Sequence, residues 1–310
     1  MKLEVKNLFK SFGQKTVLQD FSFTAVSGSA FGLLGRNGQG KTTTIRIIMD
    51  IFAADSGEVL IDGKSVQKSG LKVGYLPEER GLYPKHNILT QMIYFGELRG
   101  MKAKDAKETA ENLLEKLEAT EYLDKRLDML SKGNQQKIQL AIAILNDPHV
   151  VILDEPFSGL DPVNAQILKS LVTELVQKGK IVVFSSHEMA SVEQFCDDIC
   201  IINGGSSVLS GSLKQIKREY PRNRVLIVPE NDEIKRLKEY MNSSTEIRNM
   251  VSSISQARNG VVVKLRQEKQ KPDILRVLST SGVGVDSFSV IEPTLEEIFI
   301  EKAGGTVETA

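Results

Sequence analysis

The chain is poor in cysteine: only Cys196 and Cys200 occur, four residues apart, where a helical pattern turns into a strand. Two thiols make neither a disulfide framework nor a zinc site, and both read as small core residues. Long apolar runs are lacking too. The longest, such as Ile138 to Leu145 and Val150 to Leu153, fall far short of the roughly 18 residues that suggest a membrane span. A direct membrane span is thereby excluded, and any membrane role must come through a partner. There is no excess of charge, because 40 Lys and Arg balance 40 Asp and Glu. That removes an overall electrostatic drive toward nucleic acid or an anionic membrane surface. Met1 to Lys10 alternates apolar and charged residues where a signal peptide needs a continuous apolar run, so the expectation is a protein that stays inside the cell. Internal repeats and low-complexity tracts are also missing.

What remains is an ordinary globular composition, 41% hydrophobic and 26% charged over 310 residues, long enough for two domains of unequal size. Leu3, Val5 and Leu8 share one face of an alternating stretch that continues through Val17 to Val26, which reads as an antiparallel β layer. Phe31 to Leu34 is a short apolar strand entering a glycine-rich loop. A helix is expected after it over Lys41 to Phe52, burying Ile45, Ile47, Ile48 and Met49. Ile88 to Leu127 is helix-rich, with Lys104, Lys107, Glu108 and Glu111 on solvated faces and Leu113, Leu114 and Leu117 inside. Val150 to Leu153 and Ile181 to Ser185 are runs suited to central strands, separated by the helical pattern Pro162 to Lys178. Such alternation predicts a parallel sheet covered by helices.

The charged segment Lys214 to Arg224, which contains Pro221, separates this α/β body from a smaller tail. The tail reads as a strand at Arg224 to Val228, a helix at Asp232 to Met241, and strands at Val251 to Gln256 and Gly260 to Leu265 turning at Asn259-Gly260. A helix at Pro272 to Ser279, a strand near Val285 to Val290 and a closing helix from Thr294 complete it. The order is βαββαβ with an extra helix, as in a small ferredoxin-like α+β domain. The expected division is a body at 1–218, with a helical subdomain over about 84–145, and an accessory domain at 219–310.

Gly35-Arg36-Asn37-Gly38-Gln39-Gly40-Lys41-Thr42 satisfies the phosphate-loop pattern. Side-chain-free positions let consecutive N–H groups close around a phosphate at a helix N-terminus. Lys41 then reaches the β- and γ-phosphates and Thr42 can ligate Mg²⁺. Val150-Val-Ile-Leu-Asp154-Glu155-Pro156 is an apolar strand ending in two carboxylates, at the sheet edge where α/β proteins bind ligands. Asp154 can hold Mg²⁺, and Glu155 can polarise the water that attacks the γ-phosphate. Either motif alone reads also as a turn. Together they predict an ATPase with ATP and Mg²⁺ as its nucleotide and metal.

Between them lies Leu130-Ser-Lys-Gly-Asn-Gln135, which resembles Leu-Ser-Gly-Gly-Gln, the signature segment of the ABC ATPase family. The resemblance covers roughly the first two hundred residues. It implies a P-loop NTPase fold of the ABC type, with Gly35 through Thr43, Thr43 included, around ATP. It also implies that Ser131 and Gly133 present a hydroxyl, an N–H and a helix N-terminus to the γ-phosphate of a nucleotide held by a second ATP-binding subunit. Ser131 reads independently as a helix N-cap. By the same resemblance Phe12 stacks on adenine, where it would otherwise be a strand-core phenylalanine. Asp161, in Ser158-Gly-Leu-Asp161, lies in a loop crossing the dimer interface, and ahead of Pro162 it also reads as an N-cap. His187 senses the γ-phosphate and acts with Lys41 and Glu155 in catalysis. Glu78 stands where the family has a metal-contacting glutamine, and Lys132 and Asn134 also depart from the pattern. His86 and His149 match nothing catalytic.

Glu79-Arg80-Gly81-Leu82-Tyr83, the altered signature and the ending Pro293-Thr-Leu-Glu-Glu-Ile-Phe299 are similar to type-2 ABC exporters of the sodium-extrusion and drug-resistance kind. That likeness implies a homodimer, or a heterodimer with a similar chain, docked on integral membrane permease subunits, cytoplasmic on the inner face of the membrane, with no nucleic-acid partner. A soluble ABC ATPase remodelling ribosomes or DNA is the alternative. The tail reads either as a stabilising or as a ligand-sensing module.

Overall fold

Residues 1–79 and 81–302 are described by a computed structural model; Arg80, from the Glu79 to Tyr83 segment, lies outside them. The alternation at the N-terminus becomes β1 (Lys2–Phe12) and β2 (Lys15–Val26), paired antiparallel, and β1 pairs on its other side with β4 (Ser56–Ile61). Between these in sequence come β3 (Ala30–Leu34) and helix α1 (Lys41–Ile48). The helix is shorter than its apolar run, because Asp50 takes a left-handed φ of 59° that helical residues do not adopt. A short β5 (Lys64–Ser65) and α2 (Val66–Ser69) close the antiparallel layer, whose strand order is β2-β1-β4-β5.

The second sheet runs β10-β9-β3-β8-β7-β6. Its strands are β6 (Val73–Leu76), β7 (Val150–Asp154), β8 (Ile181–Ser186), β9 (Asp198–Asn203) and β10 (Ser206–Ser212) together with β3. All neighbours are parallel except the β9/β10 hairpin. The central strands β3, β7 and β8 are buried at every residue, as continuous apolar runs covered on both faces must be. Leu3, Val5, Leu8, Phe21 and Phe23 of the antiparallel layer share one core with Phe31, Leu33, Ile45, Ile48, Ile152 and Val183.

The insertion between β6 and β7 carries α3 (Ile88–Leu98), α4 (Ala103–Lys116) and α5 (Lys132–Ile144). Ala106, Ala110 and Leu114, spaced by four, form the buried stripe of α4. Helices α6 (Pro162–Gln177) and α7 (Met189–Phe195) follow β7 and β8. Cys196 and Cys200 are free and buried, as small core residues should be.

The chain divides into two compact units, 1–213 with the segment from Phe299, and 214–298. The second unit holds α8 (Leu213–Glu219) from Lys214 on, β11 (Arg224–Pro229), α9 (Ile234–Ser243), α10 (Thr245–Met250), β12 (Val251–Ala257), β13 (Gly260–Leu265), α11 (Lys271–Ser279) and β14 (Val285–Ile291). Helix α12 (Leu295–Lys302) follows. The strand order β12-β13-β11-β14, antiparallel throughout, is the ferredoxin-like arrangement. Two details differ from the sequence reading. Helix α10, capped by Ser244, fills the link before β12. The hairpin turns at Arg258-Asn259, and Gly260 is already paired in the strand with Ala257. Glycine is required there by the adjacent strand, since a Cβ would collide with the Ile227 carbonyl oxygen.

Helix α5 packs on β6 most tightly at Gly74, a residue without a side chain. A Cβ on Gly74 would run into the Ala143 carbonyl and come within 2.8 Å of Pro148 Cγ. Gly74→Ala is therefore expected to cost about 1–3 kcal/mol, measured as a lower urea midpoint at unchanged slope. A wild-type midpoint would mean that α5 shifts off β6 freely.

Candidate nucleotide site

The parallel ladders pair Leu34 with Ser186 and Asp154 with Ser185. Strands β3, β7 and β8 therefore end at one level, and the loops after them all emerge at one edge of the sheet. After β3 the chain turns through Gly35 to Gly40 and enters α1 at Lys41. Gly38 and Gly40 have φ of 79° and 112°. At Gly40 a Cβ would also lie 2.7 Å from Leu18 Cδ2 and 3.0 Å from the Val17 oxygen, so conformation and packing both demand glycine. The loop leads directly into the start of a helix, where unpaired backbone N–H groups and the positive helix end suit an anion.

Lys41 is buried beneath this loop. Its Nζ donates to the Gly35 carbonyl at 2.7 Å and lies 3.7 Å from Glu155 Oε1. Asp154 closes β7, accepting from Thr42 Oγ1 at 3.3 Å and from Ser185 Oγ. Burial pushes the Asp154 carboxyl above its ordinary range, and neighbouring Glu155 adds to this against the hydrogen bonds of Ser185 and Thr42. The Tyr75 hydroxyl is pushed up to about 12, first by burial and then by the charge of Asp154.

Glu155 has a left-handed φ of 49°. The reversal takes its side chain out of strand alternation, so that it shares the sheet edge with Asp154. Its Oε1 accepts from the His187 backbone N–H at 2.8 Å and lies 2.7 Å from His187 Nδ1. Its Oε2 accepts from Ser186 Oγ at 3.0 Å.

A cavity of about 410 Å³ opens over these groups. It brings together Phe12, Asn37, Gly38, Gly40, Lys41, Thr42, Thr43, Glu78, Asp154 and Glu155. Phe12 is 46% exposed, edge-on to Phe52 at 5.7 Å. Lys15 and Val17 also line the cavity, and sequence reasoning missed both. The signal was the hairpin itself, which pairs Phe12 with Lys15.

Three loop residues point elsewhere. Gly35 contributes its carbonyl to Lys41 and lies so close to β9 that a Cβ would sit 2.6 Å from the Ile202 oxygen. Gln39 turns away, accepting from the Gly204 N–H at 2.5 Å. The Arg36 guanidinium lies 5.9 Å over the ring of Phe299. Ser131, Gly133 and Asp161 do not line the cavity and form a second cluster. Ser131 caps α5, accepting from the Asn134 N–H at 3.3 Å, and Asn134 Nδ2 donates to the Tyr122 hydroxyl at 2.9 Å. Asp161 caps α6 through the N–H groups of Val163 and Asn164. Backbone donation lowers its carboxyl below the usual range. A Cβ on Gly133 would be 3.0 Å from Asn164 Nδ2, so the two helix starts abut.

Residues 18–158 match the ABC transporter family, and residues 211–303 match the ATP-binding protein DrrA1-3-like, C-terminal domain. The chain is 38% identical over 307 residues to the uncharacterized ABC transporter ATP-binding protein YhaQ of Bacillus subtilis (strain 168), covering 99% of this chain and all of that protein. This chain belongs to the ABC transporter ATP-binding proteins. It is thus an ATP-binding subunit of a transporter and, as in the rest of the family, an ATPase coupled to transport. It is also 31% identical over 215 residues to the Nod factor export ATP-binding protein I of Bradyrhizobium diazoefficiens (strain JCM 10833 / BCRC 13528 / IAM 13628 / NBRC 14792 / USDA 110), covering 68% of this chain and 70% of that one. Among solved structures, an ATP-binding subunit of an ABC transporter superposes with a TM-score of 0.65 at 29% identity, over 71% of this chain and 93% of that one.

The raised Asp154 carboxyl has a consequence for stability. In the unfolded chain it returns to its ordinary value, so between the two values the folded ABC subunit holds the proton more tightly. Stability therefore falls as pH rises through that interval. In metal-free, nucleotide-free protein, Asp154→Asn is expected to raise stability at neutral pH by on the order of 1 kcal/mol and to flatten this pH dependence. Urea midpoints at acid and neutral pH measure it, and a variant less stable than wild type at neutral pH contradicts the assignment.

Proposed function

We propose that the chain powers an exporter by closing as a homodimer over two ATP molecules, each hydrolysed between the cavity of one copy and the Ser131 cluster of the other. The observation that carries this reading is the separation of the two clusters: phosphate loop, acidic pair and Phe12 share a cavity that Ser131, Gly133 and Asp161 do not line. A γ-phosphate bound at Lys41 would then be completed by the α5 N-terminus of a neighbour, with its hydroxyl, N–H and positive helix end.

Within the cavity, Phe12 offers a ring for adenine, and the loop amides with Lys41 bind the phosphates. Lys41 exchanges its bond to the Gly35 carbonyl for the β- and γ-phosphate oxygens. Thr42, Asp154 and Glu78 supply an oxygen-only donor set suited to a hard cation, and these residues would hold Mg²⁺. Held there, such an ion would supply charge neutralisation for the phosphates. Glu155 accepts the proton of the attacking water, and His187, bonded to Glu155, meets the γ-phosphate. Loss of the γ-phosphate removes the bridge between the copies and reopens the dimer.

Export is supported by the name of the Nod factor relative. Separate permease subunits are supported by the family, and by the fact that no helix among the described residues is long and apolar enough to cross a membrane. The subunit then works on the cytoplasmic side of the membrane, with no nucleic acid in the cycle.

Glu155→Gln is expected to lower turnover by about 10²–10⁴-fold while keeping ATP affinity, and to elute as a dimer in ATP but as a monomer in ADP. Turnover at the wild-type rate would overturn the reading. Phe12→Ala is expected to weaken ATP binding by about 1–3 kcal/mol with an unchanged unfolding midpoint, because the ring is half exposed. Equilibrium titration with a fluorescent ATP analogue decides that point, and unaltered affinity would remove Phe12 from the site.

A further inference from the structure

We infer that Ser186 is a positioning residue for ATP hydrolysis, its hydroxyl pinning one oxygen of Glu155 so that the other is aimed at the water. The inference rests on the reading of Glu155 as the group that accepts the water's proton.

The two oxygens of Glu155 have different surroundings. Oε1 accepts from the His187 backbone N–H at 2.8 Å and also lies beside two side chains that bound phosphate would recruit, the Lys41 ammonium at 3.7 Å and the His187 ring at 2.7 Å. Lys41 leaves when phosphate arrives, and the His187 side chain is 38% exposed and able to turn. Oε2 instead accepts from Ser186 Oγ, which is buried.

The direction of that bond is fixed by a second one. Ser186 Oγ accepts from the Glu188 backbone N–H at 3.1 Å, so one hydroxyl lone pair is occupied and its single proton is left for Glu155. The backbone that carries the hydroxyl is held in β8, where Ser186 pairs with Leu34 on one side while Ser185 pairs with Asp154 on the other. A carboxylate rotates about its Cγ–Cδ bond unless one oxygen is held. With Oε2 held by Ser186 and Oε1 by the His187 backbone N–H, the carboxylate plane is fixed at both ends, and Oε1 keeps a lone pair for the water's proton after Lys41 and the His187 ring have turned to the phosphate. Left-handed backbone at Glu155 brings the carboxylate to the hydroxyl. The preceding pair repeats the device, Ser185 holding Asp154.

A bond from a hydroxyl to a charged group corresponds to about a tenfold effect. The test compares Ser186→Ala, Ser186→Thr and Glu155→Gln as full-length protein, measuring kcat, KM for Mg·ATP, affinity for a non-hydrolysable ATP analogue and urea midpoint. Expected is a fall in kcat of about 10-fold for Ser186→Ala, with KM and analogue affinity unchanged. Ser186→Thr, which keeps the hydroxyl, returns kcat to within about 3-fold of wild type, and adding Ser186→Ala to Glu155→Gln has no further effect. Wild-type kcat in Ser186→Ala overturns the inference. So does an equal loss in the threonine variant, or a loss located in KM or nucleotide affinity. If the alanine variant does not fold, Ser186→Cys, of similar volume but a weak donor, is expected to show the same kcat loss, and wild-type kcat there counts against the inference. Turnover at the wild-type rate in Glu155→Gln would sink the parent reading instead. A dead Glu155→Gln beside a fully active Ser186→Ala would sink only the role of Ser186.

Discussion

Everything at the nucleotide site depends on the register of three parallel strands. Because Leu34 lies level with Ser186, and Ser185 with Asp154, the chain leaves β3, β7 and β8 at one height. The phosphate loop, the acidic pair and the serine-histidine segment are thereby neighbours without any long side chain reaching across. A slip of one residue in β7 would turn Asp154 to the opposite face and bury an unpaired carboxylate. The apolar runs Val150–Leu153 and Ile181–Phe184 oppose that slip only through packing. Polar bonds at the strand ends, Ser185 to Asp154 and Ser186 to Glu155, are satisfied in one register alone, and they specify it.

The site is costly to the fold that carries it. Lys41, Asp154 and Glu155 are all buried, and an ion pair in such surroundings contributes little net stability. Glu155 adds backbone strain of on the order of 1 kcal/mol. These costs are offset by the core beneath, where Phe21, Phe31, Leu33, Ile45 and Ile48 are nearly inaccessible. The apolar sheet and the charged edge thus have opposite thermodynamic signs. Three short residues, Thr42, Ser185 and Ser186, satisfy the buried acidic pair with hydroxyls at little side-chain entropy cost.

Much of this was legible from local pattern. The phosphate loop, the acidic strand, the helix caps at Ser131 and Asp161 and the strand order of the tail follow from spacing and turn chemistry within short windows. Features that depend on what lies across the fold were not legible. Gly260 resembled a turn glycine, yet it is a strand residue over which the Ile227 backbone passes. Gln39 resembled a loop residue facing phosphate and is bonded to Gly204, 165 positions away. Asn134, a departure from the family pattern, donates to the Tyr122 hydroxyl twelve positions earlier, a partner its own segment does not name. Ser185 closes a run suited to a central strand, and nothing in its neighbourhood or in that of Ser186 names the carboxylates they meet.

The separation of Ser131 from the cavity gives the proposed mechanism its direction. If one chain enclosed ATP by itself, binding would be tight and hydrolysis would move nothing. With the α5 N-terminus on another copy, the free energy of γ-phosphate recognition is also the free energy of association, and a ligand moves an equilibrium only by its difference in affinity for the two states. ATP and ADP differ by the one group that would span the gap, so nearly all of the difference goes into closure. The pinned carboxylate then matters for timing. A base already held in one orientation has no reorganisation left to make once the neighbouring α5 N-terminus completes the site, so closure and hydrolysis follow one another directly.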